Sequence, residues 1–421
     1  MAPIACNAFG TVGNIYCDGF IYILFLEAIK IEKNLDKKQL LNSQELILKK
    51  LISFDTTSSK SNLELINYIC DYLDIFKIET SKVYNEDKSK ASIYYTIGNK
   101  KLPGLVLSAH TDTVPVDIDQ WSYNPYELNI QKDKYYGRGT TDMKGFISIV
   151  LALTPWVISK SFDRPIHVAL SYDEEVGCLG VGPLINSMKN NVCKPKLVVV
   201  GEPTDLKIVN QHKSCHTFET EFHGKKAHSC YPDWGCNAIY FASEFINELR
   251  KIEQSLINGD EDVNFEPPHS SINVGRIEGG IAHNIVPDYA RVIWNIRCLP
   301  SENFQDLLYD LFNSVMPSIE SRMKKKYRNA YISNRNISNI LPLNQKNFPE
   351  ILISLTKTDP KHKSGVSYGT DAGYFSDVGW PTIVCGPGKI EQAHTSDEFI
   401  KINDIKDGID FMMSLMRGIL S

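Results

Sequence analysis

Apolar and polar positions follow two different periods along this chain, and the change of period lays out its elements. Four short aliphatic runs, at residues 105–107, 167–171, 197–200 and 382–385, are apolar nearly throughout rather than alternating. Such runs predict strands covered on both faces. Helical spacing marks two earlier segments. One runs from about Ser43 through Leu46, Ile47, Leu51 and Ile52, and the other covers 62–76, with Leu63, Leu65, Ile66, Ile69, Tyr72 and Leu73. Strands and helices then alternate to about Val209. That alternation predicts an α/β class with a mostly parallel sheet and helices on its faces.

From about residue 212 the pattern changes. A strand is expected at 217–223, a helix near 235–253, strands at 271–277 and 291–297, a helix at 302–322 and a last strand near 330–333. This β-α-β-β-α-β order predicts an inserted α+β, ferredoxin-like unit. The polar stretch 258–268, ending in Pro267-Pro268, is expected to be a surface loop. After Ile337 the first pattern resumes. The expected division is an N-terminal extension at 1–42, one part of the main domain at 43–212, the insertion at 213–337 and the second part at 338–421. No internal repeat or low-complexity tract interrupts it.

A length of 421 residues favours about two domains. With 43% hydrophobic and 23% charged residues and a net charge of −5, nothing points to nucleic acid or an anionic membrane as partner. The basic run Lys324-Lys325-Lys326, with Arg322 and Arg328, reads as a solvated helix end. Ten cysteines are irregularly spaced without a CxxC pair, which fits reduced thiols in a cytosolic protein. Cys178, Cys215, Cys230 and Cys236 are expected to be small buried hydrophobes. Residues 22–29 are apolar but interrupted by Glu27 and too short to span a bilayer. No Lys or Arg precedes Lys30, which argues against a secretory signal. A soluble, cytoplasmic protein is therefore expected.

The chemistry sits where the strands end. Ser108-Ala109-His110-Thr111-Asp112 follows the first run, and Asp173-Glu174-Glu175-Val176-Gly177 the second. Gly201-Glu202-Pro203-Thr204 follows the third, and Gln392-Ala393-His394 lies beyond the fourth. A further segment, residues 139–145, places Asp142 at the start of a helix. In open α/β sheets ligands gather outside the carboxyl ends of the strands. Carboxylates and imidazoles converging there suit Zn²⁺ or a similar divalent ion. Singly, each motif reads more readily as a solvated turn or a core histidine. Together His110, Asp142, Glu175, Glu202 and His394 supply too many ligands for one catalytic zinc, and point to two ions bridged by Asp142. Asp112 is placed to accept the other ring N–H of His110. Of the adjacent Glu174 and Glu175, one is expected to bind metal and the other to act as base, and spacing leaves open which.

These motifs resemble the M20 family of metallopeptidases and amidohydrolases, over about residue 43 to the C-terminus. Ser108 to Pro115, Gly137-Arg138-Gly139 with Asp142-Met143-Lys144-Gly145, and Tyr172-Asp173-Glu174-Glu175 carry the family likeness. Gly201-Glu202-Pro203-Thr204, Tyr368-Gly369-Thr370-Asp371-Ala372-Gly373 and residues 386–394 look like its acetylornithine deacetylase branch. The resemblance implies a zinc-peptidase-like catalytic domain whose insertion is a lid and homodimer contact. It implies two divalent ions per subunit, zinc or alternatively cobalt. By analogy Glu174 is the base and Glu175 a ligand, with His110 and Glu202 on one ion, Glu175 and His394 on the other. His228, in Gly224-Lys225-Lys226-Ala227-His228-Ser229, would steady the oxyanion in the partner's site. Asn284, Arg297 and Thr370 would grip the substrate. The implied activity is deacetylation of N2-acetyl-L-ornithine in arginine biosynthesis. Another N-acyl amino acid hydrolase, such as a succinyl-diaminopimelate desuccinylase or an aminoacylase, is the alternative. A silent amino-acid-binding relative is the alternative of another class, against which the complete ligand set argues.

Overall fold

The computed structural model describes residues 37–346, 349, 351–357 and 364–421. The apolar stretch at 22–29 lies outside them. The core of the body is a six-stranded sheet. Its strands are β1 (Thr80–Tyr84), β2 (Ala91–Ile97), β3 (Leu105–His110), β4 (Ile166–Ser171), β5 (Leu197–Pro203) and β10 (Thr382–Gly386), in the order β1-β2-β4-β3-β5-β10. β4, β3, β5 and β10 run parallel, and the β1–β2 hairpin closes one edge antiparallel to β4. The four aliphatic runs are those parallel strands, as their periodicity predicts.

Burial on both faces explains the continuous apolarity. Leu105, Leu107, Ile166, Val168, Leu170, Leu197, Val199 and Ile383 face one hydrophobic core. Val106, Ala169, Val198, Val200 and Val384 face another. The first face is covered by α1 (Lys37–Ile52), α2 (Leu63–Asp74), α3 (Lys144–Lys160) and α7 (Ile402–Leu420), the second by α4 (Val181–Lys189). Each buried Leu or Val contributes roughly 1.5–3 kcal/mol to this sandwich. α1 is already helical at Lys37, the first described residue, ahead of the start expected near Ser43, and its apolar stripe extends back to Leu40. Ser43 is buried within the helix instead of opening it, and Gln44 Nε2 donates to Ser148 Oγ on α3 at 2.7 Å.

The insertion forms its own sheet from β6 (Ser214–His223), β7 (Ser271–Gly279), β8 (Tyr289–Cys298) and β9 (Tyr331–Ile340), ordered β7-β8-β6-β9 and antiparallel throughout. α5 (Ala238–Ile257) and α6 (Met316–Lys326) cover one face over a separate core that includes Phe222, Phe245 and Trp294. The single helix expected at 302–322 is broken into a short turn at Phe304–Leu307, a wider turn at Leu311–Val315, and α6. Pro317, in the first turn of α6, has no amide to continue an earlier helix. β9 runs on to Ile340, past the boundary expected at residue 337. Its polar sequence disguises an edge strand with exposed positions.

The polar stretch at 258–268 is not simply a surface loop. Phe265 is fully buried against Gly365, whose lack of a side chain admits the ring. The buried Lys213 ammonium donates to the Pro267 and His269 carbonyls at 2.8 and 2.6 Å. Composition hid this because one aromatic ring anchors an otherwise polar loop. Phe265→Ala should therefore cost about 3–5 kcal/mol, read as a lowered unfolding midpoint, whereas a solvated loop residue would change stability by less than ~0.5 kcal/mol.

Candidate metal centre

The carboxyl ends of the parallel strands bring the predicted donors to one place. His110 ends β3 and is 1% exposed. Asp142 lies just ahead of α3, Glu174 and Glu175 follow β4, Glu202 stands on β5, and His394 lies beyond β10. Gly201 makes room for this: a Cβ there would sit 2.3 Å from the Phe146 ring of α3. The close approach of β5 to α3 thus depends on the missing side chain beside Glu202.

Asp142 spans two imidazoles. Its Oδ1 is 2.9 Å from His110 Nε2 and its Oδ2 is 3.3 Å from His394 Nε2. Glu175 approaches His394 Nε2 at 3.0 Å, and Glu202 Oε1 is 3.7 Å from His110 Nε2. Donor atoms of His110, Asp142 and Glu175 all fall within 4.8 Å of one another. Buried Glu202 Oε1 has no hydrogen-bond partner, an orphan that a cation would satisfy.

The charge state points the same way. Desolvation pushes the Glu174, Glu202 and Glu175 carboxyls up, and the neighbouring Glu202 and Asp142 charges push further. For His110, burial opposes charging, but bonds to Asp112 and Asp142 outweigh it and hold its pKa well above the usual imidazole range. The contacts with Asp142 and Glu175 push His394 up to about 10. Asp142 pays desolvation yet is held low by those two histidines. Among the described residues, protons on the two imidazoles set positive charge against these carboxylates. Five donors of this type, one with an unpartnered oxygen, fit one or two divalent cations.

Two carboxylates outside this cluster hold its main chain. Asp112 meets the His110 ring N–H through both its groups: Nδ1 donates to the Asp112 carbonyl at 3.0 Å, with the carboxylate 3.5 Å away. The carboxylate accepts the Glu174 and Glu175 amides at 3.1 and 3.3 Å and the Ser58 hydroxyl at 2.7 Å. The main chain was the nearer acceptor because the turn after β3 folds it back under the ring. Glu398 accepts the Gly139, Thr141 and Asp142 amides at 2.9, 2.8 and 3.1 Å, and Arg138 Nη1 at 2.9 Å. Arg138 also reaches the Thr395 carbonyl beside His394. Sequence reasoning missed Glu398, because a glutamate in a polar stretch reads as surface. Its spacing four residues after His394 was the only signal.

The remaining predicted residues lie elsewhere. His228 is exposed on a two-stranded ribbon with Ile285, its Nδ1 accepting the Cys230 amide at 3.1 Å. Asn284 is exposed in the turn just ahead of Ile285, its carbonyl accepting the Ser229 amide. Arg297 Nη1 donates to the Ser367 carbonyl at 3.0 Å. Thr370 is buried and its hydroxyl accepts the Ala372 amide at 3.1 Å, just ahead of the helical turn Ala372–Asp377. Cys230 is exposed, unlike Cys178, Cys215 and Cys236, because the ribbon has no cover. Ser338 of β9 abuts Gly177, where a Cβ would lie 2.4 Å from its hydroxyl, so the inserted sheet meets the Glu174 turn directly. No helix among the described residues is long and apolar enough to cross a membrane.

Comparison with known proteins agrees with this architecture. The model of Peptidase family M20/M25/M40 matches residues 106–418. An acetylornithine deacetylase of Aliivibrio salmonicida is 28% identical, over 86% of this chain and 93% of the relative. That of Proteus mirabilis is 30% identical, over 86% and 92%. Among solved structures, the M20 metallo-carboxypeptidase Sso-CP2 of Sulfolobus solfataricus superposes with a TM-score of 0.70 at 17% identity, covering 89% of this chain and 98% of that one. The Bacillus subtilis YXEP protein, described as a dinuclear metal binding peptidase, gives 0.58 at 13% identity, covering 91% and 99%. Fold and site together define a metal-dependent amide hydrolase. More particularly, the chain belongs to Peptidase family M20/M25/M40.

His394 makes the centre's proton balance measurable. Its folded pKa of about 10 lies above the ordinary imidazole value, so its contribution to the metal-free fold is complete below that range and disappears as pH rises through about 10. At about pH 8, zinc added to metal-free protein should release protons, seen as buffer-dependent heats in calorimetry, and His394→Gln should release fewer.

Proposed function

We propose that the protein hydrolyses N2-acetyl-L-ornithine to L-ornithine and acetate, with two divalent ions, zinc or alternatively cobalt. The observation that carries this is Asp142, whose two oxygens face His110 and His394 separately, as a carboxylate shared between two ions requires. His110 and Glu202 would hold one ion, Glu175 and His394 the other, with Asp142 common to both. When bound, such a pair polarises an amide carbonyl and lowers the pKa of a shared water. The curated relatives named above, acetylornithine deacetylases, support the choice of substrate.

The chain's own residues then divide the work. Glu174 receives the proton of the attacking water and returns it to the departing amine, so that water's oxygen ends in acetate and its protons are shared with the product amine. Desolvation and the Glu202 charge hold its carboxyl well above the usual carboxylate range, which strengthens it as a base. Asp112 keeps Glu174 and Glu175 in place through their amides. The four-stranded insertion acts as a lid and as the contact between two copies of the chain. In that arrangement His228 reaches the partner's site and donates to the developing oxyanion. Asn284 and Arg297 grip the substrate carboxylate, for which a guanidinium fork is suited. The setting is cytoplasmic amino-acid synthesis.

Glu174→Ala should leave bound metal unchanged while lowering turnover by about 10²–10⁴-fold. Metal content by elemental analysis and acetate release check the two halves, and near-normal turnover refutes the role. Offered a panel of N-acyl amino acids, the metal-reconstituted protein should release ornithine fastest from its acetyl derivative. Preference for a succinyl or long acyl group defeats the choice of substrate.

A further inference from the structure

The turn that carries Glu174 also closes a second cluster of donors, which the metal centre leaves unused. One carboxylate oxygen each from Glu174 and Asp371 and the Cys178 sulfur all lie within 4.8 Å of one another. Glu174 and Cys178 come from one tight turn, with Cys178 Sγ 3.8 Å from Glu174 Oε1. Asp371 arrives from the far side of the insertion, just ahead of the helical turn Ala372–Asp377. It is 1% exposed. Its Oδ2 accepts the Ser171 hydroxyl at 2.5 Å, while its Oδ1 is buried without a hydrogen-bond partner. A buried acceptor left unmatched is costly, and more so when charged. A cation among these three donors would satisfy it.

We infer that Glu174, Cys178 and Asp371 form a further cation site, selective for a soft divalent ion such as zinc or cadmium, whose filling stops turnover. Thiolate selects soft ions over Mg²⁺ and Ca²⁺, which prefer oxygen alone. The 3.8 Å between Cys178 Sγ and Glu174 Oε1 is close to the separation of two ligands on one ion with bonds of about 2.3 Å to sulfur and 2.0–2.2 Å to oxygen. On binding, the Cys178 thiol loses its proton to solvent and the Glu174 carboxylate gives a lone pair to the ion. With its negative charge shared with the ion, Glu174 is a much weaker base toward the proton of water. The inhibitory half of the inference rests on Glu174 being the base; the site itself does not. The metal that the centre needs at low concentration would thus inhibit it in excess.

The test is a titration of zinc-loaded protein with cadmium chloride. Thiolate-to-cadmium charge transfer is read in the ultraviolet, and hydrolysis of N2-acetyl-L-ornithine in parallel. The absorption should grow with one further equivalent as hydrolysis falls, and magnesium chloride should produce neither change. Cys178→Ser should keep basal hydrolysis, lack the absorption and need at least roughly 10- to 100-fold more cadmium for the same loss, the range that even an outer-shell partner contributes. Asp371→Asn, which keeps a polar partner for Ser171, should weaken the absorption titration without abolishing it. Cys230→Ser, which removes an exposed thiol next to His228, should change nothing. No absorption in the parent protein, or equal absorption in Cys178→Ser, overturns the site. Absorption with undiminished hydrolysis upholds the site and overturns the role of Glu174 as base.

Discussion

Like charge crowded into a desolvated pocket is the constraint on which this structure turns. Asp142, Glu174, Glu175 and Glu202 stand at the carboxyl end of one parallel sheet, faced by His110 and His394. Carboxylates taken out of water this close together cannot all stay ionised without compensating positive charge. Two imidazolium groups supply part of it in the metal-free protein, and the unmatched Glu202 Oε1 marks what is still missing. The pocket is therefore built for cations before any substrate is considered.

Holding those groups in place falls to the backbone as much as to side-chain packing. Asp112 ties the turn after β3 to the turn after β4, and Glu398 ties the loop beyond β10 to the turn before α3. In each case a buried carboxylate accepts several amides, which replaces the hydration it gave up. Arg138 completes the second arrangement, bonded to Glu398 and to the Thr395 and Pro115 carbonyls. Removing one partner of such a buried pair would leave an uncompensated charge, so the cost exceeds that of a surface ion pair. Movement of any one loop would displace donors carried by another.

Much of this was legible in the chain alone, for identifiable reasons. The aliphatic runs at 105–107 and 197–200 read as strands because both faces of the sheet are covered. His110, Asp142, Glu175, Glu202 and His394 stood out because each is a metal-ligand type placed at a strand end or helix start. Glu398 and Arg138 did not, since their partners are main-chain groups and any residue type offers those. The buried Phe265 and the polar edge strand β9 were missed for the opposite reason. Each is a local exception to composition that only its neighbours explain.

Residue types and their periods determined, without any coordinates, which segments become strands and which donors stand at their ends. Local sequence suffices there, because periodicity and ligand chemistry belong to a few adjacent residues. Which donors meet was decided by the fold. His394 and Glu175 lie 219 positions apart and come within bonding distance only because β10 pairs with β5 after the whole insertion has been traversed. Strand pairing across such a distance depends on the packing of all the layers at once, and no stretch of sequence carries that information alone.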